Sequence, residues 1–425
     1  MISKLTAKKT YKEAYVWIWL PEHTCPVVAG RLEADNGKLF FNYGKSYLQR
    51  LHDKQSVISI YEAELPLKKG VLPLLDGLNM PSCIRDGAPD AWGRRVIINK
   101  KLRLRGDQID TVQLDELTYL LESGSDRIGA LDFQLSPIEY IPRLSSNVSL
   151  KELLESSERV EKGIPLTTEL DQALFHGSTI GGARPKALIE ENKKKYIAKF
   201  PSSSDLYNVL KAEFIAMRLA YLVGLNVAPV KLTKASHKDV LLIERFDRKR
   251  VDAGWQRKPV VSALTLFGLD DMFARYASYE ILAEIIRHKF TAPRDTLKEL
   301  FSRLVFNILC GNNDDHARNH AAFWDGKNLT LTPAYDICPQ GRSGNIASQA
   351  MLISAANNNS QIKVCLDVAH HFLLSKGMAI DIVNKQRHII ETNWVLVCDE
   401  AGLNIIDRKL LWRRQFLNPN AFEGM

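Results

Sequence analysis

Short runs of alternating character occupy the first third of the chain. "YVWIWL" at 15–20, "VVAGRLEADNGKLFFNYG" at 27–44 and "SVISIYEAELPL" at 56–67 carry the aromatic, β-branched signature of strands, with an Asp-Asn-Gly turn inside the second run. They predict a small β-rich subdomain from Tyr15 to about Phe133. In its later part Asp90 stands as the N-cap of a helix entered through Trp92, and "DELTYLLESG" reads as a helix ending near Gly124. The amphipathic run "SLKELLESSERVEKG" predicts a helix and connector between Ile138 and Gln172.

The pattern then changes. "HGSTIGGARPKALIEENKKKYIAKFP" places a glycine-rich segment before two strand-like runs around a charged turn. "NVLKAEFIAMRLAYLVG" is helical with Gly224 placed to end it, and "KDVLLIERFDR" is a buried strand. From about Ala263 helical periodicity dominates, in "YEILAEIIRHKF", "DTLKELFSRLVFNILCG", "IKVCLDVAHHFLLSKG" and "IIDRKLLWRRQFL". A hairpin interrupts it: "HAAFWDGKNLTLTPAYDI" alternates on both sides of Asp325-Gly326. No internal repeat is evident.

A chain of 425 residues exceeds what one core ordinarily supports, so more than one packed unit is expected. With 45% apolar and 25% charged residues it has an ordinary globular composition. The net charge of +8 suits an anionic partner, but it is spread along the chain, and the lysines at 193–195 read as a solvated face. The six cysteines lie at 25, 83, 310, 338, 365 and 398, without metal-ligand spacing or a disulfide framework, which fits reduced thiols in cytoplasm. The opening residues lack an apolar run of signal-peptide length, and no window approaches the roughly 20 apolar residues of a membrane span. A cytoplasmic protein with no membrane role is therefore expected.

The chemistry concentrates in "CGNNDDHARN" at 310–319. Magnesium-dependent phosphoryl transfer needs an Asp near the acceptor hydroxyl, a second metal ligand close by, and a further Asp to hold the metal against the phosphates. Asp314 and Asn319 have the Asp-x-x-x-x-Asn spacing that protein kinases use, at the entrance of a hairpin whose exit carries Asp336. A hairpin brings its two ends together, so Asp314, Asn319 and Asp336 are expected to converge. Upstream, Gly181 and Gly182 offer backbone N–H groups for phosphate, Lys199 sits on a strand, and Glu213 follows fourteen residues later on a helix as its ion partner. Taken alone, Asp314 reads more readily as a helix cap, Lys199 as an edge lysine and Glu213 as a solvated one; their order along the chain favours the chemistry. His316 and His320 are four apart, but no third ligand makes them a zinc site, so His316 is read as an orienting residue and His320 as structural.

In these motifs the chain resembles the HipA family of serine/threonine kinases, toxins of type II toxin–antitoxin systems. "AGRLEADNGKLFFNYGKSYL", "RDGAPDAWGRR" and "DRIGALDF" resemble its N-terminal part, and "STIGGARPKALI", "YIAKFP", "LLIERFDR", "NNDDHARNH" and "LTPAYDI" follow its kinase motifs in order. The resemblance implies an α+β, bilobal kinase-like fold with a β-rich subdomain at 1–137, a nucleotide-binding lobe at 138–250 and a helical catalytic lobe at 251–425. It implies ATP and Mg²⁺, with Asp314 as catalytic base beside His316, Asn319 and Asp336 as metal ligands, and Lys199 and Lys186 near the nucleotide phosphates. Glu244, Arg245 and Phe246 would line the adenine hinge. Counting back from Lys186 to the family's regulatory serine gives Thr179, with Ser178 beside it, as an autophosphorylation site that would switch the enzyme off. The sequence departs from the family in having Arg184-Pro185-Lys186 where Gln-x-Lys is usual, and Thr at the regulatory position. Implied partners are a protein substrate, such as an aminoacyl-tRNA ligase, and a small helix-turn-helix antitoxin that brings the complex to DNA. A catalytically weak kinase-like binding protein and a small-molecule phosphotransferase are the alternatives.

Overall fold

A computed structural model of the chain describes residues 11–102, 114–143, 148–164, 166, 179, 182–341 and 344–425. The chain forms two compact units, one of Met1–Leu188 with Asp247–Pro259 and one of Ile189–Phe246 with Val260–Met425. This is a different partition from the three segments expected at 1–137, 138–250 and 251–425, which stay a proposal. The architecture is α+β, with antiparallel sheets and helices in separate blocks. No described helix is long and apolar enough to cross a membrane.

The first unit is built on a five-stranded sheet in the order β4-β3-β2-β1-β5, from β1 Glu13–Ile18, β2 Val27–Asp35, β3 Lys38–Tyr43, β4 Val71–Leu72 and β5 Leu131–Gln134. The expected turn between β2 and β3 forms on Asn36 and Gly37, whose φ values of 47° and 77° need residues that tolerate the left-handed region. Ala14, Val16, Leu32, Phe41 and Phe133 are wholly buried and form the core on this sheet.

The run 56–67, expected as a strand, is irregular. Its backbone groups are satisfied by tyrosine hydroxyls instead of a ladder. Tyr43 Oη donates to Leu65 O at 2.7 Å and accepts from Ile60 N at 2.9 Å, and Tyr47 Oη donates to Ile58 O at 2.7 Å. Helices Ala91–Leu102, Glu116–Glu122 and Leu150–Glu161 match their expected places. The last begins with a reciprocal cap between Ser149 and Glu152.

In the second unit a four-stranded sheet runs β6-β7-β9-β8, from β6 Lys186–Glu191, which begins in the first unit, β7 Lys194–Lys199, β8 Val230–Ala235 and β9 Lys238–Glu244. The helix Val209–Val223 starts on an Asn208 cap and stops on Gly224 at φ 97°, as expected. The hairpin β11 Ala321–Trp324 and β12 Leu329–Leu331 also forms, and β10 Val260–Ser262 adds a third strand beside β11.

The helices Tyr279–Lys289 and Pro293–Cys310 lie where periodicity placed them. The run 362–377 is not one helix: Ile362–Asp367 gives way to a 3-10 turn, Ala369–Phe372, which ends at Leu373 with a φ of 58°. The C-terminal run is helical only over Ile405–Leu411, and the 25-residue helix Lys376–Glu400 is unexpected.

Candidate active site

Lys199 is the last residue of β7, paired across the sheet with Leu241 of β9. Its side chain points inward and is 6% exposed. Glu213 faces it from the buried side of Val209–Val223, at 2.6 Å. Asp336 pairs with the same ammonium. Desolvation pulls the Lys199 pKa down, but Asp336 and Glu213 outweigh it, so the ammonium is held above the ordinary lysine value. One buried cation thus joins the sheet, the helix and the residue at the hairpin exit.

The candidate catalytic loop begins where Pro293–Cys310 ends. Gly311, at φ 73°, is required there: a Cβ would stand 2.6 Å from Gln415 O. The loop then folds on itself. His316 N and Asn319 Nδ2 both donate to Asp314 O, at 2.9 and 3.1 Å, and Asn319 N donates to His316 O at 2.8 Å. The Asn319 amide nitrogen is thus engaged within the loop, which leaves its side-chain oxygen as the atom that could ligate a metal.

Asp314 has an exposed side chain, and its carboxyl titrates above the ordinary range. Partial desolvation is the main cause, the nearby Asp336 carboxylate adds to it, and His316 opposes it. Asp314, His316 and Asp336 therefore share one electrostatic neighbourhood. His316 Nδ1 is buried and has no hydrogen-bond partner among the described residues.

Three supports were not visible in the sequence. Beneath the loop, Asp315 is buried and takes the Tyr279 hydroxyl and, at 3.0 Å, His320 Nε2. This fixes His320 as a structural residue. Above it, Tyr335 Oη donates to Arg318 O at 2.6 Å, and Arg318 pairs with Asp271. On the approach to Asp336, buried Arg303 donates to Thr332 O at 2.9 Å and Asn226 O at 3.2 Å while pairing with Glu299. Ala334 bridges to the chain after Gly224 through Asn226 O and Ala228 N, at 2.7 and 2.9 Å. So held, Asp336 adopts a φ of 59°, a left-handed conformation that a non-glycine residue keeps only where its surroundings impose it.

No cluster of three His, Cys, Asp or Glu side chains that could hold a metal occurs among the described residues. That excludes a zinc-type cage among them. An Asn oxygen and a single carboxylate fit magnesium, which keeps several waters and takes its remaining ligands from substrate phosphates.

The three hinge candidates differ in placement. Glu244 pairs with Lys194 at 2.7 Å, Arg245 is buried with its N–H on Lys195 O at 2.8 Å, and the Phe246 ring lies 5.5 Å from that of Tyr335. Phe246 thereby touches the residue that precedes Asp336.

The remaining candidates belong to the first unit. Gly182, at φ 95°, is pinned between Asp90 and Trp92: its N–H donates to Asp90 Oδ2 at 2.9 Å and its carbonyl accepts from Trp92 N at 3.1 Å. Asp90, read from the sequence as a helix cap, thus gives its carboxylate to the glycine-rich segment. Trp92 Nε1 donates to Lys186 O at 3.0 Å, and Lys186 Nζ lies where a Gly182 Cβ would be. Thr179 is buried, with its hydroxyl on Asp126 O at 3.1 Å. Asp126 is itself held at 2.9 Å by Arg248, and Asp247 accepts Gly129 N at 2.8 Å, so "DRIG" and "FDR" interlock. Gly181 and Ser178 lie outside the described residues.

Residues 178–394 match the family model described as the HipA-like C-terminal domain, and residues 18–134 match the HipA N-terminal domain. The putative kinase Y4mE of Sinorhizobium fredii is 29% identical over 150 residues, 34% of this chain and 34% of the relative. The serine/threonine-protein kinase toxin HipA of Shewanella oneidensis is 26% identical over 194 residues, 37% of this chain and 42% of the relative. The chain thus covers less than half the length of these curated relatives. A chain of the Shewanella oneidensis MR-1 toxin–antitoxin complex of HipA, HipB and operator DNA superposes with a TM-score of 0.65 at 18% identity, covering 96% of this chain and 99% of that one. The shared fold is therefore that of a HipA kinase, and with a family model spanning more than half of its length, the chain belongs to the HipA family.

Proposed function

We propose that the protein is an ATP- and magnesium-dependent serine/threonine protein kinase that acts as the toxin of a toxin–antitoxin pair. The observation that carries this reading is the buried Lys199, joined to both Glu213 and Asp336, with the Asp336 carboxylate near enough to Asp314 to help raise its pKa. A core of purely structural purpose gains little from one lysine between two carboxylates, since replacing a buried ion pair with apolar groups is often neutral or stabilising.

In this reading Asp314 accepts the proton of the acceptor hydroxyl as its oxygen bonds to the γ-phosphorus of ATP and the bond to ADP breaks. A carboxyl titrating above the ordinary range is a better base for that proton than an unperturbed one. Lys199 receives the nucleotide phosphates, with Glu213 fixing its position. Asn319 and Asp336 would hold Mg²⁺, which when bound supplies charge neutralisation at the phosphate oxygens. Glu244, Arg245 and Phe246 form the adenine hinge, and His316 orients the loop.

Gly181, Gly182 and Lys186 complete the phosphate-binding segment, with autophosphorylation at Thr179 or Ser178 as its control. Thr179 is buried on Asp126 O, so its modification requires that contact to open. The acceptor we infer is a translation protein such as an aminoacyl-tRNA ligase. The partner is a small antitoxin through which the basic chain reaches operator DNA in the cytoplasm; the Shewanella oneidensis complex, which contains HipA, HipB and operator DNA, supports that choice. Incubating the protein with labelled ATP, Mg²⁺ and a bacterial lysate tests the reading. Labelling of a discrete acceptor supports it, and labelling that is equal with and without the protein removes it.

A further inference from the structure

The segment 270–279 is fastened to the candidate catalytic loop twice. Asp271 pairs with Arg318, and the Tyr279 hydroxyl donates to Asp315. Between these tethers runs the 3-10 turn Asp271–Tyr276, started by Asp270, whose side chain accepts Met272 N at 3.0 Å. None of its residues is buried. Met272 is 77% exposed, Phe273 48% and Tyr276 53%. The Phe273 and Tyr276 rings lie 6.1 Å apart in a stack, and the Arg275 guanidinium sits 5.2 Å over the Tyr276 ring.

Isolated exposed apolar residues need no explanation. Three in one short turn, pre-arranged by stacking and bound to the loop that carries Asp314, do. A protein acceptor presenting its hydroxyl to Asp314 must cross the surface beside that loop, and Arg318, four residues on, ties that surface to this turn.

We propose that Met272, Phe273 and Tyr276 form a docking ledge for the acceptor polypeptide, taking an aliphatic or aromatic side chain close in sequence to the phosphorylated residue. The inference rests on the kinase reading and gives its acceptor a chemistry. Three side chains are a small surface for a second copy of the chain, since a stable interface buries about 800 Å² on each partner. They suffice for one or two anchor residues of a peptide.

The test uses the full chain with Mg²⁺, labelled ATP and peptides that carry a central Ser or Thr. Each flanking position is fixed in turn as Leu, Phe or Asp. The wild type is expected to favour Leu or Phe over Asp at one or two positions by about tenfold in kcat/KM, equivalent to about 1.4 kcal/mol. Phe273→Ser with Tyr276→Ser, and separately Met272→Asp, should flatten that preference to about twofold. The KM for ATP, the rate on Asp-containing peptides and the thermal midpoint should stay unchanged.

A wild-type enzyme without apolar preference, or a preference that survives in both variants, overturns the proposal. So does a wild-type dimer that dissociates in the variants while peptide selection persists, which would assign the ledge to a second copy. Peptide phosphorylation that is lost in Asp314→Asn supports the kinase reading whatever the preference. Absence of any Asp314-dependent phosphorylation removes that reading and the ledge with it.

Discussion

Lys199→Met removes a cation that pairs with both Glu213 and Asp336, and its consequences for stability follow from burial. Glu213 is 1% exposed, so without the ammonium its carboxylate keeps the desolvation of a buried site and loses its ion partner. Breaking such a pair costs about 3–5 kcal/mol. The Asp336 side chain is 40% exposed, so water screens its share, and that contact adds no more than about 1 kcal/mol. Adding Glu213→Leu removes that buried charge and replaces it with apolar volume. The double variant should recover to within about 2 kcal/mol of wild type. Urea unfolding of wild type, both single variants and the double variant gives the coupling directly. Recovery of stability should not restore phosphoryl transfer, because the lysine proposed to receive the nucleotide phosphates is gone. A Lys199→Met protein as stable as wild type, or a double variant no better than the sum of the singles, would refute the reasoning.

Gly182→Ala should weaken nucleotide binding and lower stability by about 1–2 kcal/mol, because φ 95° disfavours any Cβ and the added atom displaces Lys186 Nζ; isothermal titration with ATP checks the first and thermal unfolding the second. Tyr279→Phe deletes the hydroxyl on buried Asp315, at a cost of about 1–3 kcal/mol, and should lower kcat while leaving the KM for ATP within about twofold. Asp132→Asn addresses pH. Burial raises the Asp132 pKa, but Arg127 and Arg143 outweigh it and hold it below the ordinary carboxylate value. Its stabilisation is then present above the unfolded-state value of about 4 and is lost as pH falls through the lower folded-state value. The stability gap between wild type and Asp132→Asn in denaturant titrations should be large at pH 7 and shrink steadily below about pH 4.

What the sequence revealed was mostly local. Asp314 and Asn319 are close in sequence, and Lys199 and Glu213 are separated by a loop and the first turn of a helix, so their order along the chain suggested their chemistry. The Asp325-Gly326 turn did the same for the approach of Asp336. The supports are long-range contacts between ordinary residues. Nothing local marks Tyr279 as the partner of Asp315, or Arg303 as the anchor of the strand leading to Asp336. Asp90 has the form of a helix cap, and only the tertiary fold shows its carboxylate on Gly182.

The run 56–67 has strand composition but no neighbouring strand, since Tyr43 and Tyr47 hydroxyls take the hydrogen bonds a ladder would supply. The helix Lys376–Glu400 did carry a signal, with Ala379, Val383, Gln386, Ile390, Trp394 and Val397 buried at helical spacing. A glutamine in the middle of the stripe obscured it. Gln386 is buried because its Nε2 donates to Ser302 O at 2.9 Å.

The central claim is that Asp314 takes the acceptor proton while Lys199, Asn319 and Asp336 hold the nucleotide and its metal. Asp314→Asn keeps the size of the side chain, and the backbone carbonyl that organises the loop is untouched. Phosphate incorporation from labelled ATP, measured beside equilibrium binding of Mg²⁺–ATP in the same variant, separates the two roles. Incorporation is expected to fall by about 100-fold or more while ATP affinity stays within about twofold of wild type. Incorporation at the wild-type rate in Asp314→Asn would contradict it.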